Sequence, residues 1–293
     1  MYLQLDQTAS TAAGTHEKVL AWIAERESSG ERWFTFINHM EPHLPYHPTD
    51  AVRKSIEREG FTPEEVSRAM QFGPPFSVIH GLGHRVVDET MQRSLSRLYD
   101  GEVEVVDDAL GDFLGRLRES GVLDRTLVII TSDHGENLGD HGLYDHRMSL
   151  HRSLLHIPLI VRLPGLFDGG RTETDVVRLE DVAPTVYEIC KVPPTPGMQG
   201  QSLIGDTGGR VARAVHGTLE RFEAPLREQF PSLDTSRLNR GIRSVYDGRH
   251  HLIRYDDGTV ELYDVETDPA ETRDLAREEP GLVQRLTELD LAD

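Results

Sequence analysis

The 293-residue sequence predicts an α/β fold: a mostly parallel sheet flanked by helices, with a small antiparallel sheet and a helix at the C-terminal end. Three observations carry that expectation. Leu127–Ile130 is an unbroken aliphatic run of the kind buried on both faces in a parallel sheet, and it stops abruptly at polar residues and Gly135. A helical stripe formed by Val103, Val106, Leu110, Phe113, Leu114 and Leu117 ends at Ser120-Gly121 and leads into that run, as in a doubly wound crossover. From Gly241 onward, short alternating strands are joined at Asp247-Gly248 and Asp257-Gly258, both strong hairpin signals.

Taken in order, Thr15–Glu27 carries Val19, Leu20, Ile23 and Ala24 on one helical face, and Ser28-Ser29-Gly30 breaks it. Trp33–Ile37 has the aromatic and β-branched content of a strand and runs into Asn38-His-Met-Glu-Pro-His-Leu-Pro-Tyr46. Residues 50–70 and 71–83 are helical pieces interrupted at Pro63 and Gly73-Pro74-Pro75. The long amphipathic helix is expected to begin near Tyr99. Beyond the central loop, a short helical segment spans 149–155, a strand begins at Ile157-Pro158, and Asp181 is placed to cap a helix with Pro184 in its first turn. Val211–Leu219 is assigned to the main sheet, and Ile242–Tyr246, His250–Tyr255 and Val260–Tyr263 to the C-terminal one. The division expected is residues 1–220 for the α/β part and 221–293 for the antiparallel subdomain.

Chemistry concentrates where the central strand ends. Open α/β sheets bind ligands at the carboxyl ends of their strands, and there stand Asp133 and His134, a hard oxygen donor beside an imidazole. An isolated Asp-His pair is more simply a helix cap and a loop histidine. Here Glu136, Asp140, His141, Asp145 and His146 follow within one loop, with Gly135, Gly139 and Gly142 allowing tight turns. That density of ligating groups points to a divalent metal. His43, flanked by prolines, reads on its own as an idle loop histidine, and His250 and His251, on opposite faces of one strand, read as structural.

Thr131-Ser-Asp-His-Gly-Glu136, Leu138-Gly-Asp-His-Gly-Leu143 and His156-Ile-Pro-Leu-Ile-Val-Arg-Leu-Pro-Gly165, in that order, resemble the signature of the sulfatase family in the alkaline phosphatase superfamily. Met40-Glu-Pro-His-Leu-Pro-Tyr46 and the closing Glu261–Leu275 segment extend the likeness over essentially the whole chain. The resemblance implies an alkaline-phosphatase-like sheet and hydrolysis of a sulfate monoester, small-molecule or carbohydrate. It makes Asp133 and His134 ligands of a metal, calcium first, with manganese, magnesium or zinc in relatives that cut phosphoesters. It also brings His43 to the sulfate group and places His146 near the leaving-group oxygen, with Arg147 the adjacent alternative. The nucleophile of that family lies in a Cys/Ser-X-Pro-X-Arg motif absent from this sequence; Cys190 is followed by Lys191-Val192-Pro193. The expectation is therefore the family's latter portion, with a sheet incomplete at its N-terminal side and a complementary N-terminal chain as a possible partner. A phosphodiesterase or phosphonate monoester hydrolase of the same superfamily, and a non-catalytic remnant, are the competing expectations.

Composition narrows the classes further. A net charge of −19 excludes nucleic-acid binding through a general electrostatic footprint. Lys18, Lys54 and Lys191 are the only lysines. Abundant carboxylate with scarce lysine is the balance of a protein kept soluble in concentrated salt, where screening removes self-repulsion, so a halophilic source is expected. No apolar run is long enough to cross a bilayer and the N-terminus lacks a secretory signal, which predicts a cytoplasmic protein without a membrane partner. The single cysteine excludes an internal disulfide.

Overall fold

The computed structural model describes residues 11–84, 87–167 and 169–291. The chain forms two compact units, Met1–Ile129 with Ile160–Gly169, and Ile130–Leu159 with Gly170–Asp293.

The first unit is mainly helical. Helix α1, Ala12–Ser29, starts where the Thr11 hydroxyl accepts from the Gly14 N–H and stops at Gly30 in the left-handed region (φ 69°). Helices α2 (Asp50–Arg58) and α3 (Pro63–Met70) are separated at the predicted break, and Thr62 and Glu65 form a reciprocal capping box at the start of α3. A short α4, Phe76–Gly81, follows. Helix α5 spans Glu89–Glu119, ten residues longer at its start than the apolar stripe indicates. Met91, Leu95 and Leu98 carry its buried face back through the first turns, and the Asp88 carboxylate accepting from the Met91 N–H sets the true start. Val19 and Ile23 of α1 pack on Phe113 and Leu117 of α5, with Val122 and Leu123 completing this core.

Trp33–Ile37 does not become a strand. It belongs to no ladder among the described residues; Trp33 and Ile37 pack on the α1–α5 core while Phe34 and Phe36 stand 63% and 81% exposed. The period-two alternation is present, but a strand needs a neighbour to exchange hydrogen bonds with.

The central strand is β1, Val128–Thr131, half-buried along Val128–Ile130 rather than fully buried, and the divide between the units passes through it. In the second unit, β2 (Asn137–Leu138) and β3 (Tyr144–Asp145) form a short antiparallel hairpin. Helix α6, Arg152–Leu155, is next. Strand β4, Leu159–Arg162, pairs with β1. Helix α7 covers Val182–Cys190, and here the expected cap is replaced by something stronger. The Asp181 carboxylate makes no capping bond to α7; fully buried, its Oδ1 accepts from the Gln201 N–H (2.8 Å) and the Arg178 guanidinium (3.1 Å), and its Oδ2 from the Arg210 guanidinium (2.9 Å). Burial alone would raise Asp181, but these donors hold it below the ordinary carboxylate value.

Strand β5, Ala212–His216, runs antiparallel to β6, Ile242–Tyr246, with Ala214 opposite Ser244. It therefore joins the C-terminal sheet, not the main sheet, because its partner is fixed by tertiary pairing and five residues carry no signal of which edge they meet. Helix α8, Glu223–Gln229, lies between them in sequence. Strands β7 (His250–Tyr255) and β8 (Val260–Asp264) complete a four-stranded meander, and α9, Pro280–Asp290, follows. Alternation divides the sheet's faces. Val245, Leu252 and Leu262 meet Leu286 of α9, while Ile242, Ile253 and Tyr263 meet Leu150 from the segment before α6.

Candidate active site and metal centre

Gly135 turns the chain out of β1 against α6. Its N–H donates to the Leu154 carbonyl at 2.8 Å, and a Cβ there would stand 2.0 Å from the Ser153 carbonyl oxygen. Only glycine passes this point, which fixes the two residues before it. The His134 N–H donates to Asp133 Oδ1 at 3.1 Å. His134 Nδ1 lies 2.8 Å from the Gly135 carbonyl, and a carbonyl only accepts, so Nδ1 carries the hydrogen and Nε2 the lone pair. That Nε2 is 3.7 Å from Asp133 Oδ2, whose side chain is 82% exposed. Oxygen and nitrogen are thus presented side by side and open to an ion.

The β2–β3 hairpin returns the chain to this spot. Register Asn137 to Asp145 brings Glu136 and His146 to the same end of the hairpin. The buried Asn137 side chain donates to the Asp145 carbonyl (2.8 Å) and accepts from Ser153 Oγ (2.7 Å), pinning the hairpin to α6. His146 stacks on His134 with ring centroids 4.2 Å apart and planes 25° from parallel. Its Nδ1 is 2.8 Å from Asp145 Oδ1, while Arg147 pairs with Asp145 Oδ2. Glu136, Asp145 and His146 each place a ligand atom within 4.8 Å of the others.

The electrostatics of this group are uneven. Burial, and then the Asp145 carboxylate, push Glu136 up to about 8, against the pull of Arg147. Burial would also raise Asp145, but hydrogen bonds from the side chain and backbone of His146 and the Arg147 charge hold it below its ordinary range. Glu136 Oε1 is buried without a hydrogen-bond partner. A protonated or metal-bound carboxyl suits that position better than a bare carboxylate.

Of the residues expected at the site, Asp133, His134 and His146 are brought together by direct contacts. His43 is half-buried in the first unit with Nδ1 2.6 Å from the Leu44 carbonyl. Glu136 and Asp145, noticed in the loop but given no role, prove to be its perturbed carboxyls; the register that sets Asn137 opposite Asp145, and so brings Glu136 near it, was not readable from two-residue strands. The donor set, exposed oxygen beside a tautomerically prepared imidazole with an orphaned buried carboxyl two residues on, fits a divalent metal. Neither this geometry nor the donor chemistry selects one ion.

The strand β1 thus runs into a loop where acid, imidazole and guanidinium side chains come together. Comparison with known proteins gives the family. Residues 10–192 match the Sulfatase model and residues 139–289 the model for the C-terminal region of N-sulphoglucosamine sulphohydrolase, so the chain belongs to the sulfatase family. It is 28% identical to arylsulfatase K of Xenopus laevis over 197 residues, covering 66% of this chain and 36% of that protein. Its fold is that of a structure solved in complex with its substrate D-glucosamine-2-N,6-O-disulfate (TM-score 0.72, 17% identity, 95% of this chain and 68% of that one). It is equally that of the phosphonate monoester hydrolase from Silicibacter pomeroyi (TM-score 0.75, 21% identity, 97% of this chain and 59% of that one). The chain thus spans little more than a third of the arylsulfatase K it matches.

Proposed function

We propose that this chain serves a sulfuric ester hydrolase acting on a sulfate monoester, small-molecule or carbohydrate. The observation that supports it most directly is the Asp133–His134 pair with His146 stacked on it, in a chain of the sulfatase family. In this reading Asp133 and His134 hold the divalent metal, calcium first and manganese, magnesium or zinc as alternatives; bound there, it neutralises charge on the sulfuryl oxygens. His43 contacts the sulfate group, and His146 supplies the proton to the departing alcohol, with Asp145 at its Nδ1 orienting the ring. The nucleophile and the remaining ligands come from residues outside this sequence, upstream or in a complementary chain. Phe34 and Phe36, exposed on an extended segment without a ladder, support such a neighbour. The assignment of 1–220 and 221–293 to catalytic part and subdomain, a halophilic source and a cytoplasmic setting belong to the same proposal. Among the described residues, no helix is long and apolar enough to cross a membrane.

The test is an aryl sulfate assay in high salt with calcium or manganese, on the chain alone and with an upstream or complementary segment carrying a Cys/Ser-X-Pro-X-Arg motif. Turnover is expected only in the mixture and is lost in Asp133→Ala. Turnover by the chain alone would refute the reading, and a preference for a phosphonate monoester would move it to the phosphonate hydrolase alternative.

A further inference from the structure

A second group of ligating side chains lies in the same unit and shares no residue with Asp133, His134, Glu136, Asp145 or His146. His141, His151 and Glu271 each place a ligand atom within 4.8 Å of the others. They come from three separate places: the Gly139–Gly142 turn, the residue just before α6, and the turn after β8. The sheet explains the convergence. Along β7 and β8, His251, Ile253, Glu261 and Tyr263 alternate onto the face that meets Leu150, next to His151.

Charge makes this group unusual. Glu271 is 1% exposed; its Oε1 lies 2.5 Å from His251 Nδ1, and its Oε2 accepts from the Arg152 backbone N–H at 2.8 Å. Glu261 faces His151 Nε2 at 3.1 Å and the hydroxyls of Tyr255 and Tyr263 at 3.3 and 3.2 Å. Among the described residues no lysine or arginine side chain pairs with either carboxylate. Two acids on one inner face have imidazoles as their only basic partners among the described residues, whereas the buried Asp145, Asp181 and Asp290 of the same unit each pair with a guanidinium. His141 is held over this group at φ 51°, in the left-handed region that a histidine rarely takes, and stacks on His151 with centroids 3.5 Å apart.

We propose that His141, His151 and Glu271 bind a divalent transition-metal ion of the zinc class. Two imidazoles and a carboxylate suit that class better than calcium or magnesium, which favour oxygen-rich shells. Glu261 and Ser149 Oγ, the latter 2.8 Å from Nδ1, bracket the His151 ring and fix its plane, the support that metal-ligating imidazoles carry. An incoming ion replaces one of those two contacts. It also turns the exposed His141 ring out of its stack, because parallel rings direct their in-plane lone pairs past a shared ion. The ion would join the Gly-rich loop to a turn 130 residues further on, acting as a staple within this unit rather than as a group in the reaction.

The experiment uses the full chain, free of affinity tags, treated with chelator and then loaded with zinc or cobalt(II). To separate this group from the first one, binding is measured in an Asp133→Ala, His146→Ala background. One equivalent of zinc by calorimetry and elemental analysis is expected, with a zinc-dependent rise in melting temperature. His141→Ala should weaken binding at least tenfold and abolish that rise while its own zinc-free melting temperature stays unchanged, since His141 is exposed. Glu271→Gln is the second variant, read by the cobalt d–d bands. No zinc bound, equal binding with and without His141, or a cobalt–thiolate band assigning the ion to the exposed Cys190 would each overturn the proposal.

Discussion

Replacing Glu102 by glutamine should stabilise the first unit at neutral and alkaline pH, and the size of the effect follows from the site. Glu102 is 4% exposed on α5 and accepts the His47 N–H at 2.5 Å, which ties the His43–Pro48 segment to the helix. Burial pushes its carboxyl from an ordinary 4.5 up to about 7, opposed by the His47 hydrogen bond and helped slightly by Glu41. A folded-state value above the unfolded one means that the folded unit holds its proton longer. Stability is then full below about pH 4.5 and is lost as pH rises through about 7. At about 1.4 kcal/mol per pH unit, that gap is worth about 3 kcal/mol as an upper figure. Glutamine keeps an oxygen for the His47 N–H and carries no charge, so its stability should be flat over this window. Trp22 and Trp33 are the chain's only tryptophans and both lie in the first unit, so urea unfolding followed by tryptophan fluorescence from pH 4.5 to 8 isolates the relevant transition. Wild-type and Glu102→Gln curves that stay parallel to within about 0.5 kcal/mol across that range would refute the argument.

Three further outcomes test the second unit. Gly135→Ala forces a Cβ onto the Ser153 carbonyl and should cost about 1–3 kcal/mol or more, seen as faster proteolysis of the 133–146 loop and loss of metal affinity at Asp133–His134. Arg210→Ala leaves the buried Asp181 carboxylate short of its guanidinium and should cost about 3–5 kcal/mol in thermal unfolding; a change under about 1 kcal/mol would show that Arg178 suffices. Leu286→Ala opens a cavity between α9 and the four-stranded sheet, with an expected loss of about 2–5 kcal/mol measured by far-ultraviolet circular dichroism melts.

The C-terminal meander was legible in the sequence because its turns demand glycine: Gly248 and Gly258 sit at φ 102° and 87°, and the strands between them are long enough to show alternation. Helix α1 was legible for a similar local reason, the apolar face of Val19, Leu20, Ile23 and Ala24 and the break at Gly30, although its start at Thr11 was not. What could not be read is what depends on partners distant in the chain. β5 has the same local texture wherever it pairs, and Trp33–Ile37 has a strand's alternation without a ladder. The Asp133–His134 pair was visible because the two side chains are neighbours in sequence. Glu271 stood in a recognised closing motif, yet nothing local announces a carboxylate buried against a histidine twenty residues earlier. The perturbation of Glu136 likewise comes from burial under distant parts of the chain, and then from Asp145 across a hairpin of two-residue strands.

The His134–His146 stack has a bearing on how this site can change. Because one ring lies against the other, positions 134 and 146 share a single packing environment, and a replacement at either is felt as a torsional freedom or constraint at its neighbour. A lysine at 146 would exchange ring-on-ring contact for an ammonium over an imidazole face; an aliphatic residue would leave His134 able to swing away from Asp133. Changing position 146 without loosening His134 therefore calls for paired substitutions. The order in which the two are introduced decides whether the intermediate keeps His134 beside Asp133.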